Sequence, residues 1–324
     1  MNDKSVDILL SSYNGFPYIE EQIESLFNQT YRNITIFVRD DGSSDGTLQY
    51  LKKLSLKDTR IRLIDNQCGN LGPARSFLEC LRFSDADYVM FCDQDDVWLK
   101  NKVEKSVKVL EQISNSKPSL VYTDLEVVDS SLKTIHKSFF ERHKLEPTPI
   151  FSQLLVQNSV TGCTVIFNQK LRDLLLLKTP DFIVMHDWWV ALVAYLYGNV
   201  GYVNEPLIKY RQHSNNAVGS ISGLSLLKKR CSTYSKITNL YDDPTKQAIE
   251  LAKFCSYVGT DGGLVPKKNE YGVLNKYLSF ISGGVIARAS IMLTSDYSKS
   301  TFIRNFIFKV FFIFFSKKIT FDIL

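Results

Sequence analysis

The sequence predicts an α/β fold: a mainly parallel sheet with helices on both faces, followed by a helical C-terminal extension. Two observations predict it. Short apolar, β-branched runs alternate with segments of helical period through the first third of the chain, and repeated strand–helix units imply parallel strands covered on both sides. In addition, every strand-like run in that region leads directly into a polar cluster, and sheets of this kind bind ligands beyond the carboxyl ends of their strands. The composition agrees. Of 324 residues, 44% are hydrophobic and 23% charged, which is ordinary for a globular chain and argues against disorder.

The elements follow in order. Val6–Leu10 is a short apolar run ending in the loop Ser11-Ser12-Tyr13-Asn14-Gly15. Pro17 suits a first helical turn, and Ile19, Ile23, Leu26 and Phe27 recur at helical spacing. Ile34–Val38 is a β-branched and aromatic second strand. It enters the turn-rich loop Arg39–Thr47, ahead of a helix over Leu48–Leu54. Ile61–Ile64 and Tyr88–Cys92 give the third and fourth strands, separated by a helix over Ala74–Leu81. Val103, Val107 and Leu110 then share one helix face. Beyond Val121 the pattern loosens. Thr161–Phe167 reads as a strand, Met185–Tyr197 as a helix, and Asn199–Tyr210 as two short strands. From Ser222 onward the chain reads as helices interrupted at Gly259–Gly263 and Gly283-Gly284. A boundary near residue 220 separates a domain over 1–220 from a helical region over 221–324.

Charge, cysteines and termini narrow the classes. With 39 basic against 34 acidic residues, the excess is too small to mark a nucleic-acid binder. The six cysteines are scattered singly, with no C-x-x-C pair, and read as reduced thiols of a cytoplasmic protein. The N-terminus does not resemble a signal peptide. At the other end, Phe302–Phe315 is very apolar, yet it is short for a span and broken by Arg304 and Lys309. With Lys317 and Lys318 following, residues 302–318 read as a segment resting in a membrane interface, with a docking helix as the alternative.

Several clusters could carry chemistry. Asp93-Gln94-Asp95-Asp96 puts three carboxylates into four positions after a buried strand. Unpaired, they repel one another, and a divalent cation, Mg²⁺ or Mn²⁺, relieves that repulsion. A helix cap would explain one aspartate, not three. Asp40-Asp41-Gly42-Ser43, taken alone, reads as a turn. With Ser11 and Tyr13 on the neighbouring strand end, it reads instead as a base pocket with a stacking ring and a carboxylate. Arg75, in the first turn of a helix, either reaches a diphosphate or belongs to a solvated face. Asp187, between His186 and the tandem Trp188-Trp189, is a candidate general base in a partly desolvated site; the indoles are core or a platform for a sugar ring. His213 lies in a polar loop. There is no G-x-G-x-x-G, no P-loop and no G-x-S-x-G, which disfavours dinucleotide enzymes, P-loop NTPases and serine hydrolases of that type.

The ordered set Ser-Ser-Tyr-Asn-Gly, Asp-Asp-Gly-Ser-x-Asp-Gly-Thr, Asp-Gln-Asp-Asp-x-Trp, His-Asp-Trp-Trp and Tyr-Arg-Gln-His-x-Asn-Asn resembles glycosyltransferase family 2, inverting enzymes of GT-A fold. The resemblance spans about residues 5–220, and the last three motifs look most like bacterial rhamnosyltransferases of polysaccharide synthesis. It implies a Rossmann-like mixed sheet and a nucleotide-sugar donor. Ser11, Tyr13 and Asp41 would hold the nucleobase and Arg75 the donor diphosphate. Asp93 would contact the donor ribose or sugar, Asp95 and His213 would hold the cation, Asp187 would deprotonate the acceptor hydroxyl, and Trp188 would face the acceptor. The expected reaction is a single displacement with inversion, moving L-rhamnose from dTDP-β-L-rhamnose to a lipid-linked saccharide at the inner membrane face. A UDP-hexose transferase shares every motif, and a catalytically silent assembly partner would have lost the base or the metal ligands.

Overall fold

Alternation decides where the sheet buries its side chains. The computed structural model describes residues 4–65, 68–113, 116–213, 233–294 and 296–314. In β1 (Val6–Ser12) Leu9 faces one side, while Val6, Ile8 and Leu10 face the other, and all four are fully buried. A strand apolar on both faces belongs in the middle of a covered sheet. After α1 (Ile19–Phe27) come β2 (Ile34–Asp40), α2 (Thr47–Ser55), β3 (Ile61–Leu63), α3 (Gly72–Cys80) and β4 (Tyr88–Cys92). These four strands are parallel, in the order β3-β2-β1-β4. Pro17 lies in the turn before α1, not in its first turn as the sequence reading has it: the amides of Tyr18 and Ile19 both bond the Gly15 carbonyl, so that turn closes before the helix begins.

The second half extends the sheet with mixed direction. It comprises β5 (Val97–Trp98), α4 (Lys102–Gln112), β6 (Ser119–Val128), β7 (Thr134–His136), α5 (Phe139–His143), α6 (Phe151–Val156), β8 (Ile166–Asn168), α7 (Gln169–Leu176), α8 (His186–Tyr197) and β9 (Asn199–Arg211). β8 runs antiparallel between β4 and β6, and β9 pairs parallel to β6. Two expectations change here. The region from Val121 holds a ten-residue strand, β6, whose period is masked because Thr123 and Asp124 are buried among its apolar residues. Thr161–Phe167 is mostly a tight turn at Gly162–Thr164, and the strand begins only at Ile166.

Asn199–Arg211 is one strand, not two. Its register against β6 jumps from Thr123–Val203 to Asp124–Pro206, so Asn204 and Glu205 bulge out just before a proline that lacks an N–H. The break in the sequence pattern is that bulge.

The helices α9 (Thr233–Asp261), α10 (Lys268–Ser282), α11 (Val285–Thr294) and α12 (Phe302–Phe314) complete the chain. α8 is buried nearly all round, as a helix apolar on every face must be. It lies between the sheet and α9, where Trp189 meets Phe254 edge-on at 5.5 Å. Leu251 and Val258 of α9, Tyr277 of α10 and Phe308 and Phe312 of α12 join the same apolar cluster as α8. The boundary expected near residue 220 lies outside the described residues.

Candidate active site

The C-terminal ends of β1, β2 and β4 converge on one cleft of about 790 Å³, a size typical of small-ligand sites. Because β1 and β4 are parallel neighbours, the loop after Ser12 meets the loop after Cys92. The Gln94 side chain joins them: its Oε1 accepts from the Tyr13 amide at 2.7 Å and its Nε2 donates to the Tyr13 carbonyl at 3.0 Å. Tyr13 itself is 51% exposed, its ring available at the cleft edge. Ser11 also lines the cleft, its hydroxyl 2.6 Å from that of Ser76.

The Asp40-Asp41 pair divides its work. Asp40 closes the turn, accepting from the Ser43 amide at 2.9 Å and from the Ser12 hydroxyl at 3.1 Å. Asp41 lines the cleft and is nearly buried. Its carboxylate pairs with the buried Arg39 guanidinium and accepts from the Leu71 and Gly72 amides at 2.8 Å each. It therefore shapes the pocket wall at 70–72 as well as facing the cleft.

The acidic loop caps no helix, since α4 starts later, after Asn101. Arg211, fully buried, organises this loop. Its amide donates to Asp96 Oδ1 at 3.0 Å, its Nε to the Asp95 carbonyl at 2.7 Å, and its Nη2 pairs with Glu21. Two residues on, His213 Nε2 stands 2.7 Å from Asp95 Oδ2, so the two expected metal ligands are brought together. Burial first, then the neighbouring aspartates, push the carboxyl groups of Asp93 and Asp96 upward.

Among the described residues, the second oxygen of Asp96 has only the Cys163 thiol beside it as a donor. Asp93, Asp96 and Cys163 also place ligand atoms within 4.8 Å of one another, but Cys163 is a buried thiol held protonated by its burial. Asp95 lines the cleft, whereas His213 does not and reaches it only through Asp95; this carboxylate and imidazole are the better match to a divalent cation. Near Cys163 and Asp96, Lys102 is wholly buried with its Nζ 3.5 Å over the Trp98 ring, its pKa lowered to about 7 chiefly by burial. That cation is a partial counter-charge to Asp96.

Asp187 opens α8 and is held by three donors. Its Oδ1 accepts from the Trp188 amide at 2.6 Å and from Asn158 Nδ2 at 3.1 Å, and its Oδ2 accepts from the Gly162 amide at 2.9 Å. Burial nevertheless raises its pKa to about 6, above those hydrogen bonds' opposing pull. It lines the same cleft as Asp93 and Asp95, and its charge is felt at Asp93. The two indoles separate. Trp188 edges the cleft with its Nε1 bonded to the Leu154 carbonyl at 2.6 Å, whereas Trp189 is core.

Sequence reasoning singled out neither Gln94 as a clamp nor Gly162, Asn158, Lys102 and Arg211 as supports. Gly162 lacks the Cβ that would stand 2.7 Å from His186 Nε2. His186 is buried at the cleft floor against Phe77, 4.1 Å between ring centres, and burial lowers its pKa to about 3, so the ring is neutral. Arg304, from α12, also lines the cleft, and the motifs gave no sign of it.

Arg75 does not join the group. It is exposed on α3, bonded through Nη2 to the Asp181 carbonyl at 2.9 Å, and is not among the residues lining the cleft. The expected contact to a diphosphate would require it to leave Asp181 and turn inward. The Ser214-Asn215-Asn216 end of the last motif lies outside the described residues.

Comparison with known proteins gives the family and the fold. The WfgD protein of Escherichia coli, "UDP-Glc:alpha-D-GlcNAc-diphosphoundecaprenol beta-1,3-glucosyltransferase", is 30% identical over 65% of this chain and 78% of its own. The "dTDP-rhamnosyl transferase RfbG" of Shigella flexneri is 27% identical over 65% of this chain and 74% of its own. An uncharacterised glycosyltransferase of Haemophilus influenzae is 30% identical over 65% of this chain, and the match spans 66% of that relative's length. Among solved structures, S. aureus TarS 1-349 superposes with a TM-score of 0.54 at 16% identity, covering 89% of this chain and 83% of that one. The mannosyltransferase PcManGT from Pyrobaculum calidifontis, in complex with GDP-Man and Mn²⁺, gives 0.52 at 16% identity, over 89% and 72%. These likenesses share the fold, a GT-A-like mixed sheet. Residues 7–175, more than half the chain, match the sequence profile of Glycosyl transferase family 2, and the chain belongs to that family: it is a glycosyltransferase.

Proposed function

We propose that this protein is an inverting transferase that moves a sugar from a nucleoside-diphosphate donor to a hydroxyl of a lipid-linked saccharide in polysaccharide synthesis. The observation that carries the reading is that one cleft is lined both by the Asp93/Asp95 loop and, from α8, by the buried carboxylate of Asp187, with a pKa raised to about 6. A general base works best when its pKa lies near the working pH.

Tyr13 offers a ring to the donor base, and Ser11 and Asp41 flank it. Asp93 orients the donor ribose or sugar. Asp95 and His213 would hold a divalent cation, which supplies the positive charge that stabilises a leaving diphosphate. Asp187 takes the proton as the acceptor oxygen bonds to the anomeric carbon and the bond from that carbon to the diphosphate oxygen breaks. With one carboxylate on the acceptor side, a single displacement inverts the anomeric centre. Trp188, its indole fixed by Leu154, edges the acceptor side.

The donor proposed is dTDP-β-L-rhamnose, supported by the motif set and by the relative whose name specifies dTDP-rhamnosyl transfer. The glucosyltransferase relative, at 30% identity, favours a second reading, a UDP-hexose donor. Residues 302–314 are proposed to rest against the inner membrane face, for which Phe302 and Ile303, 86% and 70% exposed, are the support. Lys317 and Lys318 lie outside the described residues, and among the described residues no helix is long and apolar enough to cross a membrane.

Calorimetry with Mn²⁺ tests the proposal, comparing dTDP-rhamnose with UDP-glucose, UDP-galactose and UDP-N-acetylglucosamine. Selective binding of dTDP-rhamnose that EDTA abolishes is the expected result. Tighter binding of a UDP-hexose moves the donor to the second reading, and no binding of any nucleotide sugar rejects both.

A further inference from the structure

The catalytic cleft has a wall that the sheet does not supply. Arg304 lines it together with Asp187, yet it comes from α12, far along the chain. Its direction follows from helical spacing. Arg304, Phe308 and Phe312 succeed one another at intervals of four and therefore share one helix face. Phe308 and Phe312 are buried, with Phe312 against the Tyr277 ring at 5.4 Å. Arg304 is one turn earlier on that inward face, where the core gives way to the cleft. The rest of the helix circumference carries Phe302, Ile303, Phe306 and Ile307, all exposed.

Two more basic side chains share this corner. His143, at the end of α5, lines the cleft. Its Nδ1 bonds the Phe139 carbonyl at 3.0 Å. Lys299, just before α12, lines a recess that shares Leu145, Gln157 and Ser159 with the cleft. The charge of Arg304 reaches both groups, adding to the burial that lowers each pKa. Glu146 is the acidic member of the recess, beside Lys144. Among the described residues the Arg304 guanidinium makes no ion pair. Of these three groups the guanidinium carries the permanent charge, and it can grip phosphate oxygens in a fork.

We infer that Arg304, with Lys299 in the adjoining recess, binds the diphosphate of a lipid-linked acceptor, whose apolar chain leaves along the exposed Phe302, Ile303, Phe306 and Ile307. The inference rests on the acceptor side of the proposed reaction and says which residues recognise that acceptor. A bilayer headgroup would be met by cations on the outward, apolar face of α12; Arg304 is on the inward face, in the cleft that holds the base.

Farnesyl diphosphate is the probe, titrated into the full chain in EDTA so that a cation-held diphosphate does not contribute. The wild type is expected to bind it, Arg304→Gln to bind about tenfold or more weakly, and Arg304→Lys to fall between. Farnesol, without phosphate, should not distinguish the three proteins. Because Arg304 is exposed, the thermal midpoint should hold, and UDP and dTDP with Mn²⁺ should bind the variant as they bind the wild type. Equal affinity of wild type and Arg304→Gln for farnesyl diphosphate overturns the assignment, as does no binding by the wild type. In a parallel arm, vesicles of phosphatidylcholine and phosphatidylglycerol are sedimented with each protein. Loss of vesicle binding in Arg304→Gln with farnesyl diphosphate affinity intact assigns the cation to headgroups and also overturns it. Failure of the donor reading shows separately, as absent nucleotide binding in every protein.

Discussion

Gln94 holds Tyr13 by both halves of its peptide frame, Oε1 to the amide at 2.7 Å and Nε2 to the carbonyl at 3.0 Å. The contact fastens the loop after β1 to the acidic loop after β4. The residue between Asp93 and Asp95 is thus a brace that fixes where the Tyr13 ring stands. Gly15 keeps the space open, since a Cβ there would come within 3.0 Å of Gln94 Oε1.

Replacing Gln94 by Glu keeps the acceptor for the Tyr13 amide but turns a carboxylate oxygen toward the Tyr13 carbonyl, beside three aspartates. Losing one hydrogen bond worth about 1 kcal/mol, with the added oxygen–oxygen repulsion, corresponds to a loss on the order of tenfold in donor affinity. The expected signature is a raised donor KM with little change in kcat, because Gln94 supports binding and touches no reacting atom. Steady-state kinetics of Gln94→Glu read this directly; an unchanged donor KM would show that the brace is unused.

The pKa of Asp187, raised to about 6 by burial, predicts a pH dependence of opposite sense for rate and stability. The proposed base works when deprotonated, so kcat should climb as pH rises through about 6 and level off above it. Stability runs the other way. The folded carboxyl binds a proton more readily than the unfolded one, whose pKa is near 3.9, so the protein loses stability as pH rises from about 4 to about 6. Asp187→Asn should remove that loss and abolish transfer by a factor of about 10²–10⁴. Denaturant melts and turnover, each measured at pH 4.5, 6 and 7.5 in both proteins, check the two signs together.

Gly162→Ala should damage the base without touching it. The added methyl would stand 2.7 Å from His186 Nε2, while the Gly162 amide must stay 2.9 Å from Asp187 Oδ2. His186 is stacked on Phe77 and has no room to retreat. Overpacking of this kind costs about 1–3 kcal/mol, and the shift of the 162 turn should lower kcat more than it raises donor KM. A variant with wild-type kcat and melting point would show that the turn yields freely.

Much of this was legible from residue types. Val6–Leu10, Ile34–Val38 and Tyr88–Cys92 announce themselves because strands buried on both faces must be apolar throughout, and they are strands in the structure. β6 was hidden because Asp124 is buried yet satisfied by the Leu125 and Phe139 amides, at 2.8 and 3.1 Å. A polar residue matched by local amides breaks the apolar pattern without breaking the strand. In the site, Ser11, Tyr13, Asp41, Asp93, Asp95 and Asp187 stood in motifs, whereas Asn158 and Gly162 line the same cleft and support Asp187 through backbone and amide contacts that leave no periodic trace. Arg304 was unreadable for another reason. Its meaning depends on where α12 packs, and only the tertiary contacts of Phe308 and Phe312 determine that.

Arg211 gives the sharpest separation between charge and shape at the acidic loop. Its fork reaches the Asp95 and Ser130 carbonyls at 2.7 and 2.6 Å, pairs with Glu21, and lies over the Tyr18 ring at 4.5 Å. Arg211→Lys retains one positive charge but cannot reach these partners at once. The backbone bond to Asp96 survives, so the loop should loosen at Asp95 first, and Asp95 is the residue that meets His213. About 1–2 kcal/mol of stability should be lost, since a buried ammonium replaces a guanidinium matched to three partners, while the released oxygens reach water. Nucleotide binding should weaken more in the presence of Mn²⁺ than in EDTA. Equal weakening under both conditions would mean that Arg211 supports the fold without positioning the metal ligands.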